Sequence, residues 1–171
     1  PRASWGMTLA HGGLALAIAG MTASSAWRSE SIQVMRPGET VTVSGYEFTL
    51  KGAKTIQGPN YQALTGAFQV KRGDGFLIDL FPEKRTYTVS RQPTTEAAIE
   101  PTFFGDLYAV IGDADGKGGY ITRIYFNPLV PWMWAGALIM MLGAGVSLTD
   151  RRYRIGAPSA RPVPKGAEAE A

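Results

Sequence analysis

Two stretches of the chain carry no Asp, Glu, Lys or Arg, residues 4–26 and residues 128–149, and between them apolar and polar positions alternate in short runs. At about 1.5 Å of rise per residue, each uncharged stretch is long enough as a helix to cross the ~30 Å hydrocarbon core of a bilayer. A core helix in a small soluble domain is usually shorter and keeps a polar face. The pattern therefore predicts two transmembrane helices, over 4–26 and 128–149. Trp5 and Trp27 bracket the first, and Trp132 and Trp134 stand near the start of the second, where an indole suits the boundary between headgroups and hydrocarbon. A cleaved signal peptide fits less well: the apolar run exceeds an ordinary signal core, only Arg2 precedes it, and the chain does not begin with Met. The sequence reads as a piece of a longer protein.

From residue 27 to 127 the runs "SIQVM", "TVTVSGYEFTLKG", "YQALTGAFQVKR", "GFLIDLFP", "RTYTVS", "DLYAVIG" and "GYITRIYF" are rich in β-branched and aromatic residues, with turn residues between them. Seven or so strands in such a length predict an all-β domain, a small barrel or sandwich. "RGDGF" reads as a hairpin tip with Asp74 and Gly75 in a type I′ turn, and a turn is a commoner role for Arg-Gly-Asp than cell adhesion. "DADGKGG" has the opening of a calcium loop but Ile124 where the closing glutamate belongs, so it reads as a mobile solvated loop. "QPTTEAAIEPTFF" predicts one helical turn, capped by Thr94 or Thr95 and stopped at Pro101. The successive charges Glu83, Lys84 and Arg85 fit either a solvated strand edge or a docking patch for a partner.

Charge adds an orientation. The net charge of +3 comes mainly from the tail at 150–171, where Arg151, Arg152 and Arg154 follow the second apolar stretch and Arg161 and Lys165 lie farther on. Residues 28–127 are balanced, with 11 basic and 11 acidic side chains. The positive-inside rule then places both termini in the cytoplasm and the β-domain outside, with the disordered basic tail facing anionic lipid. No basic stripe interleaved with aromatics marks a nucleic-acid surface. With no cysteine, the external domain has no disulfide and exchanges no thiols.

The only histidine, His11, sits inside the first apolar stretch. On a helix it shares a face with Met7, Thr8, Leu14 and Ala15. Gly12, Gly13 and Gly20 reduce bulk nearby, and Gly13 with Ala17 forms a small-xxx-small surface for another helix. An ionisable side chain in hydrocarbon faces a bundle interior, water or a ligand. Four roles fit: a neutral histidine bonded to a neighbouring helix, a headgroup contact, a metal or haem ligand, and a proton relay. A hydrolase triad does not fit, since there is no second histidine, no cysteine and no G-x-S-x-G.

The ordered set "GMTLAHGGLALAIAG", "VMRPGETVTVSGYEFTLKG", "GPNYQALTGAFQV", "PEKRTY", "TEAAI", "DLYAVIGD", "YFNPLVPWMWAGALIMMLGAG" and "DRRYR" resembles the C-terminal region of the CcmF-type haem lyase subunit of bacterial cytochrome c maturation. The resemblance runs to about Arg154. It implies an inner-membrane protein that receives haem b from a periplasmic haem chaperone, with haem as substrate and as bound cofactor of the full-length protein. It also implies a part in attaching that haem to the Cys-x-x-Cys-His thiols of apocytochrome c, alongside other maturation subunits. The match carries an externally placed axial haem ligand onto His11. It leaves this chain catalytically incomplete, since the family's tryptophan-rich haem platform lies upstream. The external β-domain becomes a docking surface, with Glu83, Lys84, Arg85 and the Asn60–Tyr61 turn as candidate contacts. The competing reading is a membrane-tethered β-domain with a purely scaffolding or assembly role.

Overall fold

The computed structural model describes residues 2–150. Along the chain these form α1 (Arg2–Ala26), β1 (Ser29–Met35), β2 (Thr40–Val43), β3 (Tyr46–Gln57), β4 (Tyr61–Arg72), β5 (Gly75–Leu80), β6 (Glu83–Tyr87), β7 (Pro93–Glu96), β8 (Ala98–Thr102), β9 (Gly105–Ala114), β10 (Tyr120–Pro128) and α2 (Val130–Leu148). The basic tail, with Arg151, Arg152, Arg154, Arg161 and Lys165, lies outside the described residues.

Alternation in the strands produces two apolar faces. β9 buries every second residue, Gly105, Leu107, Ala109 and Ile111, because successive side chains of a strand point to opposite faces. One antiparallel sheet runs β1-β10-β9-β8, and the other runs β2-β3-β4-β6-β7 with β5 also paired to β4. Their inner faces meet in a core of Met35, Phe48, Leu50, Phe68, Leu107 and Ile124, all fully buried. The expectation of a small barrel or sandwich resolves to a sandwich.

Turn chemistry sets the hairpin registers. Val43 opposes Tyr46, so Ser44 and Gly45 form a two-residue turn. Both have positive φ, 50° and 78°, as a type I′ turn requires. At "RGDGF", Arg72 opposes Gly75, and Gly73 has φ 57°. The turn residues are therefore Gly73 and Asp74, one position earlier than expected, because glycine takes the left-handed position at least cost.

Residues 93–102 depart most from expectation. Instead of a helical turn they form β7 and β8, which belong to different sheets. Only Ala97 separates them, so the chain crosses from one layer of the sandwich to the other at that residue. Pro93 and Pro101 are tolerated because both strands lie at sheet edges. The two added strands, and the division of "TVTVSGYEFTLKG" at Ser44-Gly45, raise the described strands to ten. The "DADGKGG" loop is also more tied down than expected. The Asp115 carboxylate accepts backbone N–H bonds from Lys117 (2.7 Å) and Gly119 (2.8 Å).

Topology brings the helices together. α1 leads into β1, α2 follows β10, and β1 pairs antiparallel with β10 from Ser29 opposite Phe126 to Met35 opposite Tyr120. Two neighbouring strands thus hand over to two neighbouring helices. α2 starts from Leu129, whose left-handed φ of 56° costs a β-carbon-bearing residue about 1–2 kcal/mol. Its N–H donates to the Phe104 carbonyl (2.8 Å), and Pro131 in the first turn fits a position that needs no intrahelical N–H bond.

Candidate functional site

Glycine spacing governs how closely the helices meet. Gly6, Gly13 and Gly20 recur every seventh residue on α1 and are its buried glycines, while Gly136 and Gly143 repeat the interval on α2. A β-carbon on Gly13 would lie 2.6 Å from the Gly136 carbonyl oxygen, and one on Gly136 would lie 2.5 Å from that of Gly13. At the end away from the sandwich, one on Gly6 would sit 2.6 Å from the Gly143 oxygen. The backbones themselves touch, the type of packing that holds helices together in lipid. Gly12 has open space around its missing β-carbon, so it takes no part in this contact.

His11 is exposed on the flank of the hairpin. It borders a groove of about 400 Å³ lined also by Ser4, Met7, Ala10, Gly143 and Ser147. Its Nδ1 lies 2.8 Å from the Met7 carbonyl oxygen, one turn back. A carbonyl only accepts, so Nδ1 carries the hydrogen and the Nε2 lone pair is left free. Ala26 lies 15 residues beyond His11 along the helix, ~22 Å at the α-helical rise. The imidazole therefore sits within the apolar segment and in the half of α1 away from the sandwich. The end of the hairpin is closed by Asp150, whose Oδ2 accepts the Ala3 N–H (3.0 Å). This carboxylate satisfies one of the open donors at the α1 N-terminus.

The structure splits the charged run at 83–85 between two faces. Arg85 Nε donates to Glu83 Oε2 (2.8 Å) and its guanidinium lies 4.6 Å from the centre of the Tyr61 ring. Tyr61 packs edge-on against Tyr87, and Thr65 Oγ1 donates to Glu83 Oε1. The Glu83 hydrogen bond is the main cause of a raised Arg85 pKa. Lys84 points the other way and donates to Asp113 Oδ1 (2.5 Å), joining the two sheets. The Asn60 carbonyl is bonded instead to Thr88, accepting its N–H (3.0 Å) and its Oγ1–H (3.1 Å). Arg85 thus joins Glu83 and Tyr61 in one cluster, with Lys84 outside it.

Sequence reasoning did not single out Asp150, the heptad spacing of the glycines, or Phe103 and Phe104 beside Trp132. The seven-residue glycine interval was the one signal present in the sequence. Among the described residues, no group of three or more His, Cys, Asp or Glu could hold a metal ion. A second histidine ligand to an iron at His11 would have to come from outside this chain, which has one histidine.

Comparison with known proteins supplies the relationship. The family model described as the CcmF C-terminal beta-sandwich matches residues 26–128. The chain belongs to the CcmF family. It is 45% identical over 161 residues to the cytochrome c-type biogenesis protein ccl1 of Rhodobacter capsulatus, covering 94% of this chain and 25% of that protein. It is 41% identical over 154 residues to cytochrome c-type biogenesis protein CcmF of Pseudomonas aeruginosa, covering 90% of this chain and 23% of the relative. A solved structure titled cytochrome c heme lyase CcmF superposes with a TM-score of 0.72 at 20% identity, over 86% of this chain and 25% of that one. That likeness concerns the fold. The chain spans about a quarter of the length of the CcmF relatives it matches.

Proposed function

We propose that this chain serves cytochrome c maturation as the C-terminal part of a membrane-embedded haem lyase, and that His11 is an axial ligand to haem held within the bilayer. The observation that carries the ligand role is the Met7 carbonyl at 2.8 Å from His11 Nδ1, which fixes the tautomer and leaves Nε2 free to bind iron. The fit is good for a flat macrocycle, because neighbouring Gly12 has open space around it. Haem b is both the cargo of the full-length protein, whose two vinyl groups take up the thiols of an apocytochrome c, and the bound cofactor that His11 would hold. This chain's contribution is positional: the glycine-packed hairpin fixes the His11 backbone, and a fixed ligand reduces the rotational freedom of what it holds.

The helices cross the bacterial inner membrane with the sandwich in the periplasm and both termini in the cytoplasm. The two apolar helices (mean hydropathy 1.2 and 1.5 in their most apolar windows) and the basic tail support this arrangement. The sandwich then offers the Tyr61, Glu83 and Arg85 face to a haem chaperone, the apocytochrome or another maturation subunit.

The test is His11→Ala in the full-length protein purified with its haem. The expected result is loss of the haem absorption band of that site and a cytochrome c yield at least tenfold lower, with the protein still in the membrane. An unchanged spectrum with an unchanged yield would remove the ligand role and leave a scaffolding domain.

A further inference from the structure

The β8–β9 turn is Phe103-Phe104, followed directly by Gly105. Both rings are open to solvent, 69% and 58% exposed, although they pack edge-on against each other with centroids 5.2 Å apart. A soluble loop tip carries polar residues as a rule, whereas "TFFG" carries no charge. The turn is also held firmly in place. The Phe104 carbonyl accepts the Leu129 N–H (2.8 Å), the Phe103 carbonyl accepts the Trp132 indole N–H (2.8 Å), and the Phe103 ring stacks edge-on against Trp132 at 5.3 Å. A β-carbon on Gly105 would lie 2.5 Å from the Asn127 carbonyl oxygen, so the strand base sits directly against the approach to α2.

These bonds fix the two rings at the level where α2 begins. α1 ends at the same level, since β1 and β10 pair side by side, and Trp27 at its end is 69% exposed. Trp27, Phe103, Phe104 and Trp132 thus gather at one end of the sandwich, at the level where charge resumes with Arg28 after α1 and with Asp106 opposite Asn127. Indole and phenyl rings favour this depth of a bilayer.

We propose that the Phe103-Phe104 turn is a membrane-surface anchor, inserted at the boundary of headgroups and acyl chains beside α2, which holds the sandwich at a set tilt against the lipid. This rests on the reading of α1 and α2 as spans. The occupant is lipid because the aromatic group is continuous with the lipid-facing ends of the helices, and the bonds to Leu129 and Trp132 keep the turn from withdrawing.

These 171 residues contain no cysteine, so in a full-length protein freed of any cysteine elsewhere, single spin labels can be placed at Phe104→Cys, Leu138→Cys in α2, and Lys117→Cys in the loop at the opposite end of β9 and β10. In liposomes of the full-length protein, collision with oxygen, which concentrates in lipid, is compared with collision with a water-soluble nickel chelate. The expected order of oxygen preference is 138, then 104, then 117, with 104 several-fold above 117. A label at 104 as accessible to nickel as the one at 117, with 138 still deep, would overturn the anchor and leave the spans standing. A label at 104 shielded from both reagents would also overturn it, by showing protein rather than lipid over the turn. Nickel access at 138 would overturn the spans and the anchor together.

Discussion

Asp115 and Asp106 show how residues of one carboxylate type acquire opposite pH behaviour. Asp115 accepts backbone N–H bonds from Lys117 and Gly119, which stabilise its charged form and lower its pKa, with Arg36 adding to the effect. Its contribution is complete above the ordinary carboxylate pKa of about 3.9 and is lost as pH falls through the lowered value. Asp106 has its pKa raised by burial, and its Oδ1 is buried without a hydrogen-bond partner among the described residues. Its sign is reversed: the fold is favoured below about pH 3.9, and that advantage fades as pH rises through the raised value. Thermal unfolding of the sandwich should therefore give Asp106→Asn an equal or higher Tm at pH 7. Asp115→Asn should lower the Tm at pH 7 and flatten its fall between about pH 4 and 2. A lower Tm for Asp106→Asn at pH 7 would contradict this account. At this scale the sequence showed His11 plainly, since a lone imidazole in an uncharged run stands out. It could not show the bond to Met7, nor that Asp150 reaches Ala3 from 147 positions away, because both depend on where the helices lie.

Elements were legible where one local force dominated. The uncharged windows became α1 and α2 within a few residues, and alternation located β1, β4, β9 and β10. Residues 93–102 failed because threonine, alanine and glutamate fit a helix start, while the decisive influence was edge pairing of β7 to β6 and β8 to β9, which is long-range. Glu83, Lys84 and Arg85 could not be sorted from composition either, because strand alternation sends Lys84 toward Asp113 and its neighbours to the other face. The glycine interval makes a sharp prediction for the helix pair. Gly13→Ala or Gly136→Ala places a β-carbon 2.5–2.6 Å from the partner's backbone and should cost about 1–3 kcal/mol of hairpin stability as an overpacking defect. Gly12→Ala meets nothing and should be neutral or stabilising by up to about 1 kcal/mol through helix propensity alone. Reversible unfolding in detergent, followed by energy transfer between the helix ends, separates the two classes. Equal effects at positions 12 and 13 would refute glycine-mediated contact.

For the whole molecule, the pairing of β1 with β10 links the sandwich to the helix hairpin, so the placement of the soluble layer and the depth of His11 are set together. On the proposed topology, a lipid-facing hairpin with the sandwich on one side would place His11 within the bilayer and the Phe103-Phe104 turn at its surface. Access of the sandwich to periplasmic partners depends on that sidedness. The direct measurement is labelling of single cysteines by a membrane-impermeant maleimide in intact spheroplasts expressing the full-length protein. Lys117→Cys should react before lysis and Ser159→Cys, in the basic tail, only after it. Equal reaction at both sites before lysis, or release of the chain from the membrane by alkaline carbonate, would contradict the account.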